Sequence, residues 1–452
     1  MKISRVLALA CFLLAAISVA PATEKQLAAD YHARRVALGN ALQGGIAVLF
    51  APEEPVLDFD AHRQDSDFYY LTGWDEPGAA LMIVGPTPAD KERPGQTAHP
   101  REYKEILFLP TRNLRLEQYT GAKMDAATPG VTRATGVDNV EPMTSLAADL
   151  NKLIADDRRV AINVWTQPHV KAADSLLDFT AATLGTTATE PRDVTTLTMP
   201  LRETKDAREI DLLKKASEAS IAGQREMMKA VKPGETERTI AGIMTAAWYR
   251  NGCERPSYAP IVGTGIDSTI LHYSANARTI EDGDVVVVDA ACEYSMYASD
   301  ITRTIPANGH FTARQREIYD VVLGAQKAAI DAFVAGKSKI NDFSHRDPDT
   351  LDAVAFSYIN THGKDLHGQP LGKYWLHGLG HMVGIDVHDP AQYPAVLKPG
   401  MVFTIEPGVY IPEEKLGVRI ECDFLVLPDG KLLDLDADLP HTADEVEAAM
   451  RN

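Results

Sequence analysis

Cysteine is scarce, with four in 452 residues. That density excludes a disulfide-built scaffold of the small secreted kind. Tryptophan is equally rare, and aromatic residues make up only 7% of the chain. Positive charge is also short: 45 lysines and arginines face 63 aspartates and glutamates, a formal net charge of −18. A surface of that sign repels phosphate backbones, which sets nucleic-acid binding aside. Beyond residue 22 no apolar run is long enough to cross a bilayer. Repeats, heptads and low-complexity tracts are missing, so collagen-like and wholly disordered classes are excluded. What remains is a globular composition, 45% hydrophobic and 24% charged, with length for two or three domains.

The first 22 residues stand apart. Lys2 and Arg5 precede an apolar run from Val6 to Ala20, and Ala20-Pro21-Ala22 offers small residues for cleavage. This order reads as a signal peptide over residues 1–22, in preference to a buried N-terminal helix. The expected location is therefore periplasmic or secreted. Of the other cysteines, Cys253, Cys292 and Cys422, one pair could join in an oxidising compartment. Small buried thiols are the preferred reading.

Residues 23–198 alternate strand and helix patterns. Ile46–Phe50, Ala79–Val84 and Glu105–Leu109 read as strands, Ser145–Ala155 as a helix, Arg159–Trp165 as a strand and His169–Leu184 as a helix. An α/β domain follows from that order. Residues 199–441 begin with helices over Lys205–Val231 and Glu237–Arg250 and then turn strand-rich. Val285–Val288, Met401–Glu406 and Val418–Leu427 are strand patterns beside glycine turns, which indicates an α+β domain. Residues 442–452 read as a tail or a frayed last helix. The acidic stretch Asp434–Asp438 reads as solvated surface. His32, His62, His99, His169, His310, His345, His362, His367 and His441 read as surface or capping residues.

Acids in the second domain fall where an apolar strand ends. Val285–Val288 runs into Asp289, and Asp300 follows after a stretch able to turn the chain back. Two carboxylates facing across a hairpin need a cation or a proton between them; a solvated surface hairpin is the plain alternative. His377, His381 and His388 lie within twelve residues, in HGLGH and DVHD. Imidazoles bind metals and move protons near neutral pH, although a glycine-rich turn with ordinary histidines fits equally. Glu406 closes an apolar strand. Arg419, Glu421 and Asp423 share one strand face, where an Arg419–Glu421 ion pair is the simpler reading. Asp289, Asp300, His381, Glu406 and Glu421 together fit two divalent cations, and oxygen-rich ligation favours a metal such as Mn²⁺.

These segments resemble a known family, the pita-bread metallopeptidases that include methionine aminopeptidase, prolidase and aminopeptidase P. The nearest likeness is to the aminopeptidase P (Xaa-Pro aminopeptidase) branch. It rests on SYAPIVGTGIDSTILH (257–272), DAACEYSMYASDITRTIP (289–306), HGLGH (377–381), DVHD (386–389), TIEPGVY (404–410) and VRIECD (418–423). RQDSDFYYLTGWDEPGAALMI (63–83) resembles that branch's N-terminal domain. The resemblance implies a pita-bread catalytic domain after the α/β domain. It implies Asp289, Asp300, His381, Glu406 and Glu421 as ligands of two divalent ions, with Mn²⁺ the family expectation. It also implies catalytic roles for His272, His377, His388, Glu406 and Arg419, and substrate contacts for Tyr258, Tyr410 and His272. One departure stands out: the family's usual glycine after Asp-Ala is Ala291 here, which is tolerable where φ is negative.

The implied activity is release of the N-terminal residue from peptides with proline at the second position, by attack of a hydroxide bridging the metals. A prolidase restricted to dipeptides is the alternative on the same site. A metal-free binding module on the same fold is the alternative of another class. Homo-oligomers built through the N-terminal domain are also implied.

Overall fold

The computed structural model describes residues 24–53, 62–87, 102–156, 163–167, 192–341, 345 and 347–451. The predicted signal peptide and the predicted helix 169–184 lie outside the described residues. The N-terminal part is a six-stranded sheet: β1 (Ile46–Phe50), β2 (Ala80–Val84), β3 (Lys104–Leu109), β4 (Val140–Pro142), β5 (Val164–Thr166) and β6 (Arg192–Asp193), in the order β4-β3-β2-β1-β5-β6. β1 and β2 are apolar on both faces and buried throughout, and β3 is so from Ile106 to Leu109. The helix α1 (Ala28–Ala41) packs near α2 (Ser66–Thr72), whose N-cap Asp65 accepts from Phe68 N–H.

Then come α3 (Leu146–Asp156), α4 (Thr195–Arg202), α5 (Ala207–Ala230) and α6 (Glu237–Arg250). Asp206 and Glu209 form a capping box at the start of α5, and Asp206 also accepts from Arg34 of α1 at 2.6 Å. The C-terminal part carries β7 (Ile261–Thr264), β8 (Val285–Asp289) and β9 (Thr302–Pro306) in one antiparallel sheet, with β8 central. After α7 (Ala313–Ala332) and α8 (Leu351–His362) come β10 (Val402–Ile405), β11 (Gly408–Ile411), β12 (Leu416–Arg419), β13 (Cys422–Val426) and β14 (Leu432–Asp434). β13 is central to β10 and β14, and β11 pairs with β12. The α5/α6 and α7/α8 pairs pack against these strands around one core of Val286, Val288, Trp248, Tyr319, Phe403 and Val418. Each such aliphatic or aromatic side chain contributes about 1.5–3 kcal/mol by leaving water. An α/β domain thus precedes an α+β domain. Among the described residues no helix is long and apolar enough to cross a membrane.

Several expectations change. The predicted strand 418–427 is two strands in different sheets. It breaks at Ile420-Glu421, where Glu421 N–H leaves its own sheet and donates to Thr302 O at 3.1 Å. Cys253 and Cys292 form a disulfide rather than two thiols, because the turn after α6 lies beside the strand that follows Asp289; Cys422 stays a buried thiol. The tail is a helix, α9 (Ala443–Met450), capped by Thr442 and anchored by buried Ala443 and Val446. Asp436 is buried, accepting from Ser217 Oγ at 2.5 Å and Asp423 N–H at 2.8 Å. His441 is half-buried 3.0 Å from both Cys422 Sγ and Arg303 Nη2. His345 stacks on Phe356 and meets Asp352 at 2.5 Å. Ala291 is buried and outside the left-handed region, so its Cβ costs no backbone strain there.

Candidate metal centre

β8 ends in Asp289, and β9 returns beside it with Thr302 opposite Asp289. Asp300, just before β9, is thereby brought to the same end of the sheet. β10 delivers Glu406 in the same manner, and the break between β12 and β13 delivers Glu421. Two buried glutamines brace this arrangement. Gln224 of α5 donates to Ala290 O at 3.0 Å and Ile301 O at 3.1 Å, each carbonyl adjacent in sequence to an acid. Gln326 of α7 donates to Ile405 O at 3.0 Å and Ile420 O at 3.2 Å, adjacent to the other two.

His381 enters from the HGLGH segment. Its Nδ1 faces Met382 O at 3.1 Å, which makes Nδ1 the donor and leaves Nε2 toward the acids. Nε2 stands 3.4 Å from Asp300 Oδ2 and 3.4 Å from Glu406 Oε1. Sequence reasoning missed Asn341, which shapes this segment: it accepts from Leu379 N–H at 2.7 Å and donates to Gly380 O at 2.5 Å. Gly380 has no room for a side chain, since a Cβ would lie 2.1 Å from Thr404 O. Gly380→Ala is therefore expected to push the His381 loop off β10 and to weaken metal retention at least about tenfold, as second-sphere changes do. Metal per chain after dialysis against a graded chelator checks this; unchanged retention would refute it.

Ligand-sized groupings emerge from these placements. Asp289, Asp300 and Glu421 each present an oxygen within 4.8 Å of the others, as do the ligand atoms of His381, Glu406 and Glu421, and those of Asp300, His381 and His388. The site also fits positive ions energetically. Burial, together with Asp300, raises the Asp289 carboxyl despite Arg419; burial, Asp300 and Glu406 raise Glu421 well above the carboxylate range. Burial pushes Glu406 up to about 7, with Asp300 adding and His381 opposing. Among the described residues the buried Asp289 Oδ1 has no hydrogen-bond partner. Crowded buried carboxylates with an orphaned oxygen are what divalent cations resolve. Burial opposes a charge on His381, yet Asp300 and Glu406 outweigh it and hold the imidazole up at about 9.

Around the acids, Arg419 is buried and forked. It reaches Asp289 Oδ2 at 2.5 Å, Tyr410 Oη at 2.8 Å and Thr302 Oγ1 at 3.1 Å. Tyr410 lies fully buried and meets His377 Nε2 at 2.8 Å, so its hydroxyl is used between Arg419 and His377. His377 Nδ1 points to Gly378 O at 2.7 Å, and burial followed by the Arg419 charge lowers its pKa to about 4. Tyr258 donates to Asp300 Oδ1 at 2.5 Å. His272 and His388 are exposed, and both border a cleft of about 520 Å³ that the four acids and the His381 imidazole floor. A neighbouring recess of about 250 Å³ is walled by Tyr258, Ile261, His272 and Val387.

A cleft floored by paired acids and one imidazole is the working site of a metallohydrolase class. The model of metallopeptidase family M24 matches residues 211–428, and that of the aminopeptidase P N-terminal domain matches residues 31–162. The Xaa-Pro aminopeptidase of Haemophilus influenzae is 34% identical over 403 residues, 86% of this chain and 88% of that protein. The Xaa-Pro aminopeptidase of Escherichia coli is 31% identical over 448 residues, 93% and 97% of the two chains. Proline aminopeptidase P II from Yersinia pestis superposes with a TM-score of 0.79 at 29% identity, over 94% of this chain and 100% of that one. The chain belongs to metallopeptidase family M24, in its aminopeptidase P branch and with the pita-bread fold.

Proposed function

We propose that this protein is a Xaa-Pro aminopeptidase that removes the first residue from peptides with proline second. The observation that carries this is the convergence of Asp289, Asp300, His381, Glu406 and Glu421 at one cleft, in a chain whose relatives are Xaa-Pro aminopeptidases. Those five residues would hold two divalent ions. Their oxygen-rich donors favour Mn²⁺. Bound there, the ions would activate a water and polarise the scissile carbonyl.

The chain's own groups supply the rest. An Xaa-Pro bond is a tertiary amide with no N–H, so its recognition rests on shape and on its carbonyl. His272 and His388, at the rim of the cleft, donate to the oxygen as it gains negative charge. Glu406 Oε accepts the proton of the attacking water and returns it to the proline nitrogen as the bond breaks. Arg419 fixes Asp289 and, through Tyr410, fixes the neutral His377. The prolidase alternative would share all of this. A metal-free binding role fits poorly with an orphaned Asp289 oxygen among raised acids.

The test is a panel on metal-loaded protein: Ala-Pro-Ala, Ala-Pro and Ala-Ala-Ala. Release of alanine from Ala-Pro-Ala, with Ala-Ala-Ala untouched, is expected. Hydrolysis of Ala-Pro alone would make the protein a prolidase. Export to the periplasm or the medium is part of the proposal. The N-terminal pattern supports it, as does the Cys253–Cys292 disulfide, a bond that persists in oxidising compartments. Assembly as a homo-oligomer through the N-terminal domain is likewise proposed, on the family resemblance.

A further inference from the structure

Asp386 and Asp389 flank His388, and the chemistry above uses neither. One oxygen of each is taken by the same buried cation. Arg202, at the end of α4, places Nη2 2.6 Å from Asp386 Oδ2 and 2.6 Å from Asp389 Oδ1. Its Nη1 reaches Asp67 Oδ1 of α2, in the N-terminal domain, at 2.9 Å. Lys205 Nζ takes the other Asp389 oxygen at 3.0 Å. Arg202, Lys205, Asp67 and Asp389 are all buried. Two further grips come from the N-terminal domain: Ser66 Oγ donates to Asp386 Oδ1 at 2.6 Å, and Arg63 Nη2 donates to Ile385 O at 2.9 Å. Arg63 is itself tied to Glu293 of the catalytic domain at 2.9 Å.

The loop carrying His388 is thus held from behind by the other domain. Its free side faces the cleft, with the imidazole 3.9 Å from that of His381 between ring centres. A buried ion cluster of this kind costs desolvation and is weak as a source of stability, but its geometry is specific. Removing Arg202 leaves Asp67 without its guanidinium and takes away the one group that ties Asp386 and Asp389 to the N-terminal domain's Asp67, so the loop loses its fixed position.

We propose that Arg202 is a positioning residue for the peptidase reaction: anchored on Asp67 of the N-terminal domain, it sets where His388 stands over the cleft. The N-terminal domain is then a working part of the catalytic apparatus. This rests on the role assigned to His388 above, and the test separates the two. Displacing a catalytic group by about 1 Å costs on the order of a hundredfold in rate.

Full-length Arg202→Met, Arg202→Lys, Asp67→Asn and His388→Ala, singly and paired with His388→Ala, are assayed for kcat, KM and bound metal. Arg202→Met is expected to lower kcat about 10- to 100-fold with KM and metal content nearly unchanged. Asp67→Asn is expected to lower it several-fold, and Arg202→Lys to recover part of the loss. In the His388→Ala background the same changes should cost about threefold or less, because the group they position is gone. A loss that persists undiminished in that background, or one that tracks metal loss, overturns the proposal. So does an unaltered kcat in Asp67→Asn, which serves if Arg202→Met does not fold. An unaltered kcat in His388→Ala would instead overturn the role of His388 itself.

Discussion

Glu406→Gln is expected to cut kcat roughly a thousandfold, the scale of losing a positioned proton carrier. It is also expected to change how the metal-free chain responds to pH. Burial, with Asp300, pushes Glu406 up to about 7 from an ordinary value of 4.5. Between those values the folded chain holds a proton that the unfolded chain has released. The stability linked to that proton is complete below pH 4.5 and is lost as pH rises through about 7. Glutamine does not titrate, so the variant lacks that loss. His381 works in the same direction at higher pH: Glu406 helps hold it up at about 9, and the variant relaxes that hold. Thermal midpoints of chelator-treated wild type and variant, taken from pH 4.5 to 7.5, provide the measurement. The variant should gain on the wild type as pH rises, by an amount reaching a few kcal/mol. Divalent metal should abolish the wild-type decline. Parallel pH curves for the two metal-free chains would refute the assignment.

Arg419→Met should be the most destabilising single change near the cleft. The guanidinium is buried, and its three contacts are Asp289, the Tyr410 hydroxyl and Thr302. Methionine fills much of the volume but leaves Asp289 facing three other acids without the guanidinium that touches it. Breaking a buried pair in this way costs about 3–5 kcal/mol, far more than an exposed pair. Lysine at 419 would keep the charge without the planar fork that spans Asp289 and Tyr410, and should recover part of the loss. Denaturant unfolding of the metal-free proteins checks the order wild type, Arg419→Lys, Arg419→Met. Metal should narrow the gap, because it supplies positive charge to the same acids. A methionine variant as stable as wild type without metal would show that Asp289 is neutral there.

The site was legible wherever one strand carried both an apolar run and an acid at its end. Val285–Val288 into Asp289, and Met401–Ile405 into Glu406, announce themselves because a buried strand tolerates a carboxylate only with a partner. Asp300 follows from the hairpin that β8 and β9 form. Alternation along 418–427 could not reveal the change of sheet at Glu421, since period-two patterning says which face a residue takes and nothing about which strand it pairs with. The Cys253–Cys292 bond needed three-dimensional proximity across 39 residues. Asp436 and His441 look like surface residues because their partners, Ser217 and Arg303, lie far away in sequence. Gln224 and Gln326 left one usable trace. Each is an amide set on a buried helical stripe, with Met227 and Met228 beside the first, which shares its face with Ser217 and Ser220, and Val322 and Ala329 beside the second.

Those two amides have a mechanical consequence. Each ties a pair of strands crosswise at the carbonyls beside its acids, so Asp289 travels with Asp300 and Glu406 with Glu421. The cleft floor then behaves as two stiff brackets riveted along one seam, where Glu421 N–H meets Thr302 O and Arg303 Nη1 meets Glu421 O. Ions of unequal radius would then be accommodated by side-chain adjustment above a fixed floor, which superposing crystals grown with Mn²⁺ and with Zn²⁺ would reveal as unmoved strand ends or rule out as one bracket displaced from the other.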